Sequence, residues 1–197
     1  IIIWLFKYIL MKKSVLITGV LGGIGSGLAK SFRESDYHVI GLDIKDAPSP
    51  YCDIFIRFDI GLYCTDPGYK NQMEAVLNQQ VPELSVLINN AAVQVLDNLS
   101  DIKLNDWNHT LNVNLTGPLL LSQFFLPKLE NAKGCIINIA SIHQQLTKKK
   151  FIAYATSKSA LVGLTKAMSV DLQGIVRVNA ISPAAIDTQM LRDGFNN

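Results

Sequence analysis

Short, continuously apolar segments alternate with amphipathic segments along most of this chain. The apolar segments predict six β-strands, at about 13–18, 38–43, 54–58, 84–90, 134–140 and 176–181. The segments between them predict helices at about 23–34, 67–79, 105–131 and 153–172. Strands that are apolar throughout are typical of parallel sheets buried on both faces. We therefore expect an α/β fold in which helices cover both faces of one parallel sheet.

One connection departs from this alternation. Two prolines, Pro48 and Pro50, stand between the second and third predicted strands and forbid a regular helix there. We therefore expect the crossover helix of this connection to be shortened or absent.

A cluster of glycines follows the first predicted strand and opens the first predicted helix. It runs from Thr18 to Gly25 in the order Thr-Gly-Val-Leu-Gly-Gly-Ile-Gly. A strand that passes through glycines into a helix presents backbone N–H groups and the positive end of the helix dipole at one point, which suits a pyrophosphate. Side chains would block that approach, which explains the glycines. The alternative is a tight glycine-rich turn that binds nothing.

Asp43 ends the second predicted strand, 18 residues after Gly25. At that distance a carboxylate can accept hydrogen bonds from the adenosine ribose hydroxyls, and it would repel a 2′-phosphate. The glycine cluster contains no Arg or Lys to attract such a phosphate, so NAD is favoured over NADP, although Lys45 follows two residues later. The third strand ends at Asp59 and Ile60, which are placed to reach the adenine. Together these features favour dinucleotide binding over an empty turn.

The composition is that of a well-buried globular protein. Of the 197 residues, 49% are hydrophobic and 17% are charged, a balance that argues against disorder. The net charge of +2 comes without an evident basic face, so no nucleic-acid partner is expected. Three cysteines and three scattered histidines support neither a disulfide framework nor a metal site, and a cytoplasmic location fits best.

Residues 1–10 are strongly apolar and stand apart from this pattern. They are too short to span a bilayer, which takes about 20 apolar residues, and they lack the charged start and cleavage site of a signal peptide. We interpret residues 1–12 as an N-terminal extension or translation artefact, with Met11 as the natural start. Residues 13–197 then form one dinucleotide-binding and catalytic domain with no membrane partner. Half of a membrane anchor is the weaker alternative.

A tyrosine and a lysine one helical turn apart carry the strongest chemical signal. Tyr154 and Lys158 share one face of the last predicted helix. The lysine ammonium and a positively charged nicotinamide ring would lower the pKa of the phenol, which could then exchange a proton with a substrate hydroxyl or carbonyl. Ser141, 13 residues before the tyrosine, follows the fifth strand and can hold the substrate oxygen. Taken singly, such a pair is usually a helix-surface contact, and such a serine is usually a turn or cap residue.

Pro118 lies inside the third predicted helix. It has no N–H for the carbonyl four residues back, which belongs to Asn114. The freed carbonyl needs another partner, and an ordered water is the natural candidate. Such a water could pass protons between Lys158 and solvent. The alternative is a plain proline kink whose carbonyl faces solvent.

Together these segments resemble the single-domain short-chain dehydrogenase/reductases. The resemblance is carried, in order and at the expected spacing, by Thr18-Gly-x-x-x-Gly-Ile-Gly25, Asn89-Asn90-Ala91-Ala92, the set Asn114, Ser141, Tyr154 and Lys158, and Arg177-Val-Asn-Ala-Ile-Ser-Pro183. It implies a Rossmann-like, doubly wound three-layer α/β/α fold with strand order 3-2-1-4-5-6. It also implies an NAD(P)-dependent oxidoreductase that acts on an alcohol or carbonyl substrate.

The resemblance further implies roles for individual residues. Tyr154, as the acid/base, would form a catalytic tetrad with Asn114, Ser141 and Lys158. Asn90 would contact the adenosine-side ribose and support the central strand, and Thr188 would meet the nicotinamide carboxamide. The residues expected to bind the cofactor are Thr18, Gly19, Gly23, Ile24, Gly25, Asp43, Asp59, Ile60, Asn90, Ala91, Ala92, Tyr154, Lys158, Pro183, Ile186 and Thr188.

Three features depart from the family pattern. Ala92 and Ala184 replace two glycines that are usual in the family, small changes that tighten the backbone near the cofactor. Members of the family usually run to about 250 residues, whereas this chain has 197. We therefore expect a missing seventh strand, an exposed sheet edge, and a fragment or truncated product of a protein that forms a homo-oligomer (dimer or tetramer) at full length.

The segment 143–151 joins Ser141 to the catalytic helix and must border the substrate pocket. Candidate substrate contacts are Gln144, Gln145 and Phe151, and candidates for an apolar lid are Met190 and Leu191. The lysines at 148–150 could recruit an anionic substrate such as a sugar acid, but such a run is more typical of a solvated charged turn.

Two functions other than catalysis stay open on the sequence. One is a catalytically silent dinucleotide-binding protein, and the other is a nonfunctional remnant that cannot fold alone. The intact tetrad favours an enzyme, whereas the short C-terminal part favours the rivals.

Overall fold

The computed structural model describes residues 12–195, in which six parallel strands form one sheet. Their order is β3-β2-β1-β4-β5-β6. The strands are β1 (Ser14–Thr18), β2 (His38–Asp43), β3 (Ile54–Arg57), β4 (Val86–Asn89), β5 (Cys135–Ile139) and β6 (Arg177–Ile181). The predicted strands and the predicted order 3-2-1-4-5-6 are thus confirmed. The proposed N-terminal extension lies, apart from Lys12, outside the described residues.

Helices connect the strands and cover the sheet. They are α1 (Gly23–Glu34), α2 (Ile60–Thr65), α3 (Pro67–Gln80), α4 (Leu104–Leu111), α5 (Gly117–Asn131), α6 (Ile152–Asp171) and α7 (Gln189–Phe195). The connection from β2 to β3 contains no helix, as its prolines predict. Among the described helices, none has both the length and the hydrophobicity needed to cross a bilayer.

The short helix α2 was not predicted, because six residues are too few to show a helical period. The residues that favour this helix are its capping residues. Asp59 caps the helix by accepting a hydrogen bond from the Leu62 N–H at 3.0 Å. Asp66 ends α2 and also caps α3, where Pro67 occupies the first turn.

Alternate residues of the central strand are buried on opposite faces of the sheet. Leu16 packs into a cluster that includes side chains from α2, α3 and α5, among them Phe125. Val15 and Ile17 pack on the other face, against Ala29 of α1. Because both faces of β1 are buried, the strand is apolar throughout and has no polar alternation.

The third predicted helix is interrupted in the structure. A π-helical segment, Asn112–Thr116, separates α4 from α5, and the Gly117 N–H there donates to the Asn112 carbonyl five residues back. Pro118 follows directly and cannot give an N–H to the Asn114 carbonyl. The wider turn accommodates this mismatch and leaves Asn114 fully buried.

Candidate active site

A cleft of about 550 Å³ opens at the carboxyl edge of the sheet. The segments that follow all six strands contribute to its lining, because parallel strands end at one edge. Of the residues singled out from the sequence, those that line it are Gly19, Gly23, Ile24, Asp43, Lys45, Asp59, Ile60, Asn90, Ala91, Ala92, Ser141, Lys148, Phe151, Tyr154, Lys158, Pro183, Ala184, Ile186, Thr188, Met190 and Leu191. The lining does not include Thr18, Gly25, Asn114, Gln144 and Gln145.

Two of the clustered glycines are required by the turn itself. Gly19 has a φ of +65°, and a Cβ added there would lie 2.8 Å from the Cα of Ala91. A Cβ on Gly25 would collide with the Gly19 carbonyl and lie 2.8 Å from the Cα of Val20. The explanation that side chains would block a ligand's approach therefore does not hold for Gly25, which serves close packing of α1 against the turn.

The N-terminus of α1 has the features of an anion site. Its N-cap residue, Gly22, makes no side-chain capping hydrogen bond, and the first turn contains no acidic residue. Gly22 and Gly23 are exposed and line the cleft. The first N–H groups of the helix and its positive dipole end are therefore available to a phosphate at this wall, which fits the pyrophosphate of a dinucleotide.

The acidic residues at the other predicted contact points also lie on the cleft. Asp43 is buried, and its carboxylate accepts hydrogen bonds from the N–H groups of Leu21 at 2.9 Å and Lys45 at 3.1 Å. The first of these bonds holds the glycine turn against β2, a second role that the sequence did not reveal. Asp59 lines the same end of the cleft while it caps α2.

Thr18 and Asn90 join the ends of the two central strands. The Thr18 hydroxyl accepts hydrogen bonds from the N–H groups of Asn90 and Ala91, both at 3.0 Å. The Asn90 amide donates to the carbonyls of Thr18 at 2.8 Å and Gly19 at 3.1 Å. Thr18 is buried away from the cleft, so its place is to hold the turn in shape.

Ser141, Tyr154 and Lys158 converge at the opposite end of the cleft. The Tyr154 hydroxyl is hydrogen-bonded to the Ser141 side chain. Ser141 also accepts a hydrogen bond from the His143 N–H at 3.2 Å, so the serine caps a turn and also lines the cleft. Lys158 Nζ lies 5.7 Å from the centre of the Tyr154 ring and donates to the Ile139 carbonyl at 2.7 Å.

Burial dominates the protonation of this pair. It raises the pKa of Tyr154, and the hydrogen bond with Ser141 opposes this only in part. It lowers the pKa of Lys158 to about 8. The expected lowering of the tyrosine pKa by the ammonium is therefore not what the protein alone shows. The reason is that desolvation of a buried phenol outweighs the effect of its neighbours, so Tyr154 is a neutral phenol at pH 7.

Asn114 lies behind the cleft. Its side chain accepts a hydrogen bond from the Val93 N–H and donates to the Val93 carbonyl, both at 2.9 Å. It also donates to the Ser157 hydroxyl at 3.0 Å, which in turn donates to the Tyr154 carbonyl at 2.7 Å. Asn114 thus ties the loop after β4 to the catalytic helix. Ser157 was missed in the sequence, although its position three residues after Tyr154 puts both on one helix face.

Aromatic side chains flank the reacting end. The rings of His143 and Phe151 are stacked with centroids 4.4 Å apart, and the centroids of both lie 6.0 Å from the ring of Tyr154. Lys148 also lines the cleft, with Nζ 4.7 Å from the centroid of Phe151. Across residues 12–195, no group of three His, Cys, Asp or Glu side chains is arranged to hold a metal ion.

The segment after β6 closes over the cleft. Thr188 packs on Gly23, where an added Cβ would lie 2.7 Å from the Thr188 methyl carbon. The Gln94 amide donates to the Met190 carbonyl at 3.3 Å. Met190 and Leu191, the predicted lid residues, therefore line the cleft next to the loop that follows β4.

A family model described as short chain dehydrogenase matches residues 13–197. The chain belongs to this family. A meso-2,3-butanediol dehydrogenase of Serratia marcescens is 31% identical over 197 residues, which cover 94% of this chain and 78% of that protein.

Solved structures of the family share the fold. The ligand-free aldohexose dehydrogenase of Thermoplasma acidophilum matches with a TM-score of 0.84 and 31% identity, covering 93% of this chain and 70% of that one. A 4-hydroxyisoleucine dehydrogenase complexed with NADH matches with a TM-score of 0.82 and 29% identity, covering 94% and 79%. The chain is therefore a short-chain NAD(P)-dependent dehydrogenase/reductase acting on CH–OH or C=O groups of small molecules.

Proposed function

We propose that this protein transfers a hydride between NAD and a small alcohol or carbonyl substrate, with Tyr154 as the acid/base. The observation that supports this most is the shared cleft. The hydrogen-bonded pair Ser141 and Tyr154, with Lys158 beside it, lines one end, and the uncapped N-terminus of α1 lines the same cleft. A cofactor seated on the helix N-terminus and a substrate at the tyrosine would occupy one continuous space.

When bound, the nicotinamide supplies or accepts the hydride at the reacting carbon. The Ser141 hydroxyl holds the substrate oxygen beside the Tyr154 hydroxyl. In carbonyl reduction the neutral phenol gives its proton to that oxygen, and in alcohol oxidation the phenolate takes a proton from it. Lys158, with a pKa of about 8, can replace the proton on Tyr154 near neutral pH. A water on the Asn114 carbonyl, which Pro118 leaves without its usual donor, would link Lys158 to solvent.

The preference for NAD over NADP rests on Asp43. Its carboxylate is buried at the end of β2 and lines the cleft. A 2′-phosphate placed there would meet a fixed negative charge, whereas ribose hydroxyls could donate hydrogen bonds to it. Lys45 is exposed on the same part of the cleft and limits the strength of this preference.

The test is a comparison of Tyr154→Phe with the parent enzyme. The variant should bind NADH with affinity within about threefold of the parent and lose about 10²–10⁴-fold in kcat, because only proton transfer is removed. Tyr37→Phe removes a hydroxyl outside the cleft and serves as the control, with unchanged kcat. Unchanged turnover in Tyr154→Phe would reject Tyr154 as the acid/base.

The second candidate is a catalytically silent dinucleotide-binding protein. The same cleft with the same helix N-terminus would serve it, so NADH binding by itself does not separate the two. Binding of NADH without turnover of any alcohol or ketone in a broad panel would favour this second function.

The proposal includes assembly as a homo-oligomer (dimer or tetramer) for the protein at full length. Ile175 and Ile181 are about half exposed, at 49% and 50%, beside and within the edge strand β6 of the described sheet. Apolar side chains on an edge strand favour association with a further surface. Sedimentation equilibrium would give the mass of the particle.

A further inference from the structure

The charged side chains that line the cleft are divided by sign along its length. Asp43 and Asp59 lie at the ends of β2 and β3, with Lys45 beside them. At the end near Tyr154 the charged lining residues are Lys148 and Lys158. Among the described residues, no acidic side chain lines that end.

The two lysines of the reacting end differ in what they can do. Lys158 is fully buried and donates to the Ile139 carbonyl behind Tyr154. Lys148 is exposed on the wall of the cleft. Of these two lysines, Lys148 is the one whose side chain is exposed at the cleft and is separate from the pair formed by Tyr154 and Lys158.

The Lys148 ammonium lies over the Phe151 ring. Nζ lies 4.7 Å from the centroid of the Phe151 ring, and that ring lies 6.0 Å from the ring of Tyr154. A cation held over an aromatic face is oriented without losing its charge. One ring therefore separates the ammonium from the reacting phenol, a spacing that suits a carboxylate a few bonds away from the reacting carbon.

His143 adds polarity to this wall but no charge. Burial lowers its pKa, the charge of Lys148 lowers it further, and the backbone of Leu146 opposes these effects. The imidazole is therefore neutral at pH 7, and its Nδ1 is buried without a hydrogen-bond partner. A single positive charge matches one carboxylate better than a phosphate dianion, for which a fork of donors would be expected.

We infer that the substrate carries a carboxylate, that Lys148 binds it, and that the protein acts on hydroxy acids or keto acids. This inference rests on the proposed function and names its substrate class. The neighbouring Lys149 is also exposed but does not line the cleft. The run of three lysines is thus not one uniform charged turn, and Lys149 provides a control of equal charge.

Calorimetry on the NADH-bound enzyme tests the inference without turnover. The probe is succinate, and its uncharged counterpart is succinamide. Succinate should bind about two- to fivefold more tightly than succinamide, as expected for one charge pair in an exposed site. Raising the salt from about 0.01 M to about 1 M should remove this preference, because the Debye length falls from about 30 Å to about 3 Å.

Variants identify the residue responsible. Lys148→Gln should abolish the preference for succinate, while Lys149→Gln should retain it at the same low salt. In kinetics, Lys148→Gln should raise KM for glycerate and 3-hydroxybutyrate about two- to fivefold and leave KM for glycerol and 1,3-butanediol unchanged. Lys149→Gln should change none of these constants.

The outcomes separate this inference from the proposed function. Normal NADH binding with equal affinity for succinate and succinamide would overturn the inference alone. Equal effects of Lys148→Gln and Lys149→Gln would do the same, since they would indicate a general field and not a binding residue. Loss of NADH binding, or an active Tyr154→Phe, would overturn the proposed function and the inference with it.

Discussion

Replacing Lys158 by methionine should change how the stability of the folded protein depends on pH. The lysine is completely buried, and burial lowers its pKa from the usual 10.5 to about 8. Methionine has a similar length and no charge, so it removes the ammonium while filling the same space.

The magnitude follows from the two pKa values. Each pKa unit corresponds to about 1.4 kcal/mol, so at pH 7 the buried ammonium costs the folded state about 3 kcal/mol. Because the folded pKa is the lower one, the unfolded chain binds this proton more tightly, and the stability of the parent rises with pH between about 8 and 10.5. Below that window the cost is fully present. The free energy of unfolding of the parent should therefore rise by about 1.4 kcal/mol relative to that of the variant from about pH 7 to about pH 9.

At any single pH, the difference in unfolding free energy between parent and variant combines two opposing effects, whereas its change with pH reports only the buried charge. Methionine leaves the Ile139 carbonyl without the 2.7 Å hydrogen bond from Lys158. An unsatisfied buried acceptor costs about 1–3 kcal/mol, which offsets much of the relief from removing the charge. This loss does not vary with pH, whereas the cost of burying the ammonium does.

The measurement is urea unfolding of parent and variant at several pH values, with the free energies compared as differences. Lys166→Met, which changes an exposed lysine two turns further along α6, is the control and should give a flat difference curve. A difference for Lys158→Met that is equally flat from about pH 7 to about pH 9 would refute the argument that burial depresses this lysine's pKa.

Two further predictions concern the cofactor end of the cleft. Gly25→Ala should destabilise the protein by about 1–3 kcal/mol because its Cβ meets backbone atoms. Gly27→Ala in the same helix, where nothing lies within 4 Å of an added Cβ, should stabilise it by about 0.5–1 kcal/mol. Thermal unfolding of both variants checks this, and equal effects would contradict it. Asp43→Ala should relax the preference for NAD over NADP in kcat/KM. It should also lower the melting temperature, because the Leu21 N–H loses its acceptor. A parent that already prefers NADP would contradict our interpretation of Asp43.

Local patterns were sufficient for the strands and for most helices. A strand buried on both faces must be apolar throughout, and this property is visible in the residues of β1 without knowledge of its neighbours. The helix α2 and the π-helical segment Asn112–Thr116 were not predicted. The first is too short for a period, and the second arises because Pro118 must be accommodated inside a packed helix.

Motif spacing located the cleft but not the task of each residue. Thr18 and Asn114 belong to the motifs, yet their side chains hold backbone segments behind the cleft and do not line it. Those partners, Ala91 and Val93, are 73 and 21 residues away in the chain. Hydrogen bonds over such separations are made by the packing of the sheet and its loops, so no local pattern reveals them.

The order of residues along the chain was enough to predict the six strands, most of the helices and the family, because these depend on the polarity and backbone preferences of neighbouring residues. The protonation of the site, and which lysine faces it, depend on how the chain is folded. Burial raises the pKa of Tyr154 where adjacency to Lys158 had suggested a decrease, and the fold puts Lys148 on the cleft but not Lys149. Desolvation and distance between groups are properties of the folded chain, and they set the charges on which the chemistry depends.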